Sequence, residues 1–321
     1  MLDLVAQAIF HSFIAALTVE ALLRLWDIDD GATRYAFRLL SLLLPLVAVP
    51  LFHLLAPARG DELFREQVAL FAGRRWADVR LFGIDAYRTW LVVFAGLGVL
   101  LFLRDLVPLL RDLGARRQAE ARVAPDMRVS RLVLELSARV GVVPPPVVMV
   151  ERRTPVLLFS GALAPRLVVS PSTLEHLDDE ELTAAVAHEL AHVRHRDPLV
   201  GWLLMGARAL MFFNPVFQVV ARLVAREAEW RADADAVATT GLPLPLAAGI
   251  LKLYRTAMPP LRRGRPGWLP SLDGPLARAT TAAVTRRCRR LLDGLGGPVP
   301  FRRTRLTLTA LSLSTLLFFV V

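Results

Sequence analysis

Long apolar stretches mark both ends of this chain. Leu4–Val19 runs on past Glu20 to Trp26, and Gln7, His11 and Glu20 give it one polar side. A polar stripe in a span usually faces other helices. Leu39–Ala56 carries no formal charge and stops at Pro57, and Thr89–Leu110 carries only Arg104 and Asp105 near one end. Each approaches the roughly 20 residues that a bilayer core requires. Leu306–Val321 is a further apolar run, predicted as a fourth membrane helix. The first stretch lacks both a basic leader and a small-residue cleavage site, so it does not read as a cleaved signal peptide. The pattern predicts three spans within residues 1–110 and one over 306–321.

The middle, residues 111–305, changes period. Met127–Val140 reads as an amphipathic helix. Pro146–Val150, Val156–Ser160 and Arg166–Val169 are short β-branched runs between Pro and Gly, expected to form a small antiparallel sheet. Asp178 followed by Glu181 is a capping-box pattern, which starts a helix at Asp179 and carries it to about Arg194. Leu199–Phe213 is apolar except for Arg208. Asn214-Pro215 breaks it, with Asn214 as cap and Pro215 at the first helical position, and a second helix runs to about Ala238. Leu199–Phe213 reaches about 22 Å, short of a bilayer core of about 30 Å. The hairpin at about 199–223 is therefore expected to dip into the membrane or pack on the other spans, its break covered by protein or water. Pro259–Pro275 reads as a loop or linker.

Composition agrees with the membrane reading. The 321 residues are 55% hydrophobic and 21% charged, against about 45–50% and about 25% in soluble domains. Mean hydropathy is +0.46. The single cysteine, Cys288, excludes an internal disulfide and a Cys-rich zinc finger. A net charge of +10 suggests nucleic acid until its placement is seen. Arg111, Arg116, Arg117, Arg122, Arg128 and Arg131 precede the middle region, and Arg286, Arg287, Arg289, Arg290, Arg302, Arg303 and Arg305 follow it. Such flanks fix membrane orientation rather than bind nucleic acid directly. They place the middle region in the cytoplasm and both termini outside, as in a multi-pass protein of a bacterial-type inner membrane.

The chemistry lies in His188-Glu189-Leu190-Ala191-His192. Positions four apart share a helix face, so His188 and His192 can offer two imidazoles to one metal ion with Glu189 beside them. That arrangement suits zinc and a carboxylate base. A catalytic zinc takes a third protein ligand, and Glu229 supplies one on the helix after the Asn214-Pro215 break. Asp233, one turn on, can accept the free N–H of a ligand histidine, with His188 the expected partner. The competing reading is a solvated acidic face with Glu227 and Asp235. His195 and Arg226 are candidates for stabilising charge in the transition state, against plainer roles as a helix C-terminal charge and an ion-pair partner. The β runs offer an edge to an extended peptide.

These segments resemble a family. His-Glu-Leu-Ala-His-Val-Arg-His-Arg-Asp (188–197), Phe-Phe-Asn-Pro (212–215) and Arg-Glu-Ala-Glu-Trp-Arg-Ala-Asp (226–233) are similar to the integral-membrane zinc metallopeptidases of the BlaR/MecR antibiotic-sensor type. Phe-Ser-Gly-Ala-Leu-Ala-Pro-Arg-Leu-Val-Val-Ser (159–170), the early spans and Arg-Arg-Cys-Arg-Arg-Leu-Leu (286–292) fit as well. HtpX and the CAAX-prenyl proteases share the His-Glu-x-x-His and Glu-x-x-Ala-Asp runs, generally with a longer insertion between them. The resemblance implies zinc on His188, His192 and Glu229, with Glu189 as base. Direct β-lactam sensing is not expected, since Lys252, the only lysine, is not part of a Ser-x-x-Lys motif; the resemblance is to this family lacking the penicillin-binding sensor domain.

The expectation is a mainly α integral membrane protein whose spans carry a cytoplasmic α+β zincin-like metalloprotease domain. Three uses fit it. It cleaves itself or a cytoplasmic transcriptional repressor in signalling; it cleaves membrane proteins in quality control; or it transduces a signal without proteolysis, keeping zinc for structure. The expected partners are a peptide or protein substrate and membrane lipid. An intact Glu189 weighs against the third use, because a purely structural site needs no base.

Overall fold

The computed structural model describes residues 2–70, 80–81, 84–117, 122–123, 126–152, 154–161, 163–257, 273–294 and 300–320. Its helices are α1 (Leu2–Leu25), α2 (Gly31–Leu55), α3 (Glu62–Gln67), α4 (Ala86–Arg117), α5 (Met127–Val140), α6 (Pro171–His176), α7 (Asp179–Arg194), α8 (Asp197–Leu210), α9 (Pro215–Thr240), α10 (Pro243–Ala257), α11 (Asp273–Asp293) and α12 (Arg302–Phe318). Its strands are β1 (Arg80–Leu81), β2 (Ile84–Asp85), β3 (Arg122–Val123), β4 (Val147–Val150), β5 (Leu157–Ser160) and β6 (Arg166–Val169). Residues 259–272 of the expected linker lie outside the described residues.

The chain forms two compact units. The first comprises Met1–Asp112, Leu203–Ala228 and Gly297–Val321; the second comprises Leu113–Trp202 and Glu229–Gly296. Most of the hairpin expected inside the protease segment therefore groups with the early spans, because its apolar residues find their partners there.

In the first unit α1, α2 and α12 pack together around Ala15, Val19, Leu23, Ile28, Phe37 and Leu313. Among the described residues, Val5–Leu25, Gly31–Leu55 and Ala86–Val107 are long and apolar enough to cross a membrane. The fourth helix, α12, has 17 residues, about 26 Å at 1.5 Å per residue, and is not among the three. The break between α8 and α9 is closed by protein. Asn214 is fully buried; its Oδ1 accepts from Phe217 N (3.1 Å) and its Nδ2 donates to Ser12 Oγ (2.9 Å) and Ala8 O (3.2 Å). Gln218 Nε2 donates to the carbonyls of Arg208 and Met211, each at 3.0 Å, so the end of α8 keeps its acceptors paired. Gly98 of α4 lies against the same break: a Cβ there would stand 2.4 Å from the Phe213 carbonyl carbon. Only glycine permits so close an approach.

In the second unit the strands run β3-β4-β6-β5. The sheet is mixed where an antiparallel one was expected. β3–β4 and β5–β6 are antiparallel, but β4–β6 is parallel. The chain leaves β4, forms β5 at the outer edge, and returns as β6 between the two. Gly161 turns the chain out of β5 at φ 99°, where a Cβ would meet Ala164 O at 2.5 Å. α7 packs against α5, α10 and β5. The core joins Val133 and Leu136 of α5, Leu167 and Val169 of β6, Leu182, Val186 and Leu190 of α7, and Leu246 of α10.

Candidate metal centre

The N-terminus of α7 is fixed by the expected capping box. Glu181 N donates to Asp178 Oδ1 (2.9 Å) and Asp178 N to Glu181 Oε2 (3.1 Å). Lys252, the only lysine, donates to the same Glu181 oxygen at 2.6 Å and ties α10 to this end. With Leu182, Val186 and Leu190 in the core, the helical period turns His188 and His192 to one side of α7.

The two imidazoles stand edge to face, with Nε2 atoms 3.2 Å apart. Glu229, at the point where α9 enters the second unit, completes the cluster. Its Oε2 lies 3.7 Å from His188 Nε2 and its Oε1 3.6 Å from His192 Nε2. The Glu229 side chain is 41% exposed and the His188 side chain 9%, so the cluster opens at Glu229.

A carboxylate backs each histidine. Asp233 Oδ1 lies 3.0 Å from His188 Nδ1, and Asp197 Oδ2 lies 2.8 Å from His192 Nδ1. An arginine backs each carboxylate. Arg287 of α11 grips Asp233 through Nε (2.9 Å) and Nη2 (2.6 Å), and Arg231 of α9 bonds Asp197. Asp197 reaches His192 because Arg196 takes the left-handed region, φ 55°, and folds the chain back after α7. Burial opposes the charged form of Asp233, but the hydrogen bond to His188 and the Arg287 fork hold its carboxyl well below the usual range. Burial likewise disfavours protonated His192. The Asp197 hydrogen bond and the charges of Glu229, Glu189 and Asp197 outweigh it and raise that imidazole to about 9.

This donor set fits a cation. With each Nδ1 turned to a carboxylate, the Nε2 lone pairs and the Glu229 oxygens converge on one point, all within 4.8 Å of one another. The two imidazole nitrogens, 3.2 Å apart, can share a proton or hold a cation between them. Two histidines, one carboxylate and a solvent-facing side match the usual catalytic zinc arrangement.

Glu189 projects beside the cluster, and Phe159 N of edge strand β5 donates to its Oε2 at 3.2 Å. Burial raises its carboxyl, and Glu229 adds to this against the lowering effect of His188, His192 and the Phe159 N–H. His195 turns elsewhere: its Nε2 bonds Asp235 Oδ2 at 2.6 Å. Arg226 belongs to the first unit, with Nη2 3.7 Å from Glu227 Oε1.

Two participants escaped the sequence reading. Asp197 is the tenth residue of the quoted His-Glu run, and its proximity to His192 depends on the unusual turn at Arg196. Arg287 was assigned to the basic membrane flank; it lies 99 residues from His188 and yet approaches its Nε2 at 3.4 Å.

Residues 116–242 match the sequence profile described as BlaR1 peptidase M56. That segment is similar to the M56 peptidases. The chain is also similar to a protease HtpX homolog of Methanothermobacter thermautotrophicus, 28% identical over 164 residues, covering 43% of this chain and 63% of that protein. A protease HtpX homolog of Acidiphilium cryptum is 26% identical over 198 residues, covering 50% and 66%. Protease HtpX of Legionella pneumophila is 29% identical over 160 residues, covering 39% and 57%. The chain thus spans between half and two-thirds of the length of these relatives. The M56-like segment holds His188, Glu189, His192, Asp197, Glu229, Arg231 and Asp233, whereas Arg287 lies beyond it.

Proposed function

We propose that this protein is a membrane-embedded zinc endopeptidase that acts on a peptide or protein substrate. The observation that carries the reading is the convergence of His188, His192 and Glu229 beside Glu189, within a segment matching a peptidase family. Bound zinc would polarise the scissile carbonyl and lower the pKa of water. The protein's own part is proton transfer. Glu189, held at Oε2 by the Phe159 N–H, takes the proton from water at its other oxygen as the water oxygen bonds to the carbonyl carbon. It then delivers the proton to the departing amine as the C–N bond breaks. Its raised pKa suits both halves of that task. β5 lies at the sheet edge and reaches Glu189 through Phe159, so backbone pairing along it would hold a substrate with little demand on sequence.

The arginine flanks support a centre on the cytoplasmic side of an inner membrane. The M56 match favours cleavage of the protein itself or of a cytoplasmic repressor-like regulator; the HtpX relatives favour cleavage of membrane proteins. Comparative N-terminal proteomics of cells carrying wild type or Glu189→Gln separates these uses. New N-termini in a transcriptional regulator support the first, and new N-termini in membrane proteins support the second. Identical N-terminal profiles would refute the protease reading.

A further inference from the structure

The proposed reaction develops negative charge on the scissile carbonyl oxygen, and a donor beside the ligand cluster is needed to receive it. His195 is bonded to Asp235, and Arg226 is beside Glu227 in the first unit. Arg287 has the required features. Its Nη1 lies 2.7 Å from Glu229 Oε2 and its Nη2 3.4 Å from His188 Nε2, so the guanidinium sits against two ligand residues. Its side chain is 18% exposed, on the Glu229 side where the cluster opens.

The group is also preorganised. Asp233, 3% exposed, accepts from both Nε and Nη2. A bidentate fork fixes the guanidinium plane, so little reorganisation remains when charge develops. The donors can be counted. A guanidinium has five N–H bonds; two go to Asp233, one to Glu229 and one is directed at His188 Nε2, which leaves one, on Nη1. Arg231 plays the matching part behind His192, bonded to Asp197.

We propose that Arg287 is a catalytic residue of this centre, donating to the scissile carbonyl oxygen as it becomes an oxyanion. The inference rests on the endopeptidase reading above. As the water oxygen bonds to the carbonyl carbon and Glu189 takes the proton, the C=O π pair moves onto oxygen, where the free Nη1 N–H of Arg287 meets it. The pair returns as the C–N bond breaks.

The test uses the full chain in detergent, loaded with zinc. An N-capped tetrapeptide phosphonamidate, whose tetrahedral phosphorus carries the oxyanion geometry, is titrated into wild type and Arg287→Ala. The uncleaved parent peptide is titrated into both on a Glu189→Gln background. Zinc content is measured in every sample. The expected result is phosphonamidate binding weakened by about 10²–10³-fold, with parent-peptide binding and zinc content unchanged. Cleavage of unfolded casein should lose kcat by a similar factor at constant KM. Equal phosphonamidate binding in both proteins overturns the proposal, and so does a loss of zinc that parallels the loss of binding. If Arg287→Ala does not fold, Arg287→Gln, neutral and of similar reach, is held to the same outcomes. A wild type that takes up zinc but binds no phosphonamidate and cleaves no casein would instead refute the endopeptidase reading itself.

Discussion

Glu227 and Glu229 stand two residues apart on α9 and serve opposite ends. Glu227 is fully buried in the first unit, ion-paired with buried Arg38 and 3.4 Å from Arg34 Nε. Arg38 also grips Glu20 at 2.6 and 3.0 Å. Here positive groups answer the carboxylates inside apolar helices, as buried charge requires. Asp105 repeats the pattern between Arg208 and Arg222. Glu229 has an arginine too, Arg287 Nη1 at 2.7 Å, but it also faces two imidazole nitrogens and is 41% exposed. A buried carboxylate matched by arginine is structural. A carboxylate set with two nitrogens around one point is arranged for a cation from outside.

The largest effect expected from this contrast is catalytic. Glu189→Gln should lower casein cleavage by about 10²–10⁴-fold while zinc content stays at the wild-type level. A Glu189→Gln enzyme of wild-type rate would remove the base from the mechanism. The next change tests the neighbours against each other. Glu227→Ala removes one of the two carboxylates that answer buried Arg38, leaving Glu20 alone, and should lower the unfolding midpoint in detergent with zinc still bound by the folded fraction. Glu229→Ala should do the reverse, losing zinc with little change in the midpoint of the metal-free protein. If both variants behaved alike, the contrast would fail.

The division was only partly legible in the sequence. The apolar stretches and the capping box at Asp178–Glu181 are local signals, and α1, α2, α4 and α7 follow them. His188, Glu189 and His192 share one helix, so spacing brings them together; Glu229 and Asp233 follow from the same periodicity on α9. Strand order is not local, and the parallel β4–β6 pair comes from β5 passing to the outer edge. Arg287 sits in a run of arginines that a membrane flank explains equally well. Its Asp233 fork depends on how α11 packs in the second unit, which no nearby residue announces.

A smaller effect concerns pH. In the metal-free protein the His192 imidazole is raised to about 9, above its ordinary value of 6.5. Its protonation therefore stabilises that form fully below about 6.5, and the stabilisation disappears as pH rises through 9. Zinc and that proton compete for Nε2. Apparent zinc affinity, measured by chelator competition, should rise by up to about tenfold per pH unit between pH 6.5 and 8.5. A flat profile would contradict the field ascribed to Asp197, Glu229 and Glu189. The smallest effect belongs to a surface pair: Arg139→Ala removes an exposed partner 2.6 Å from Glu135 and should change stability by about 0.5 kcal/mol or less. A larger shift in a denaturant titration would show that such pairs matter more here than burial allows.

Metal analysis of purified wild-type and His192→Ala protein tests the central claim most directly, because it asks whether the three converging ligands hold an ion at all. The account predicts about one zinc per wild-type chain and little in His192→Ala protein that remains folded by circular dichroism. Equal zinc in the two proteins would contradict it.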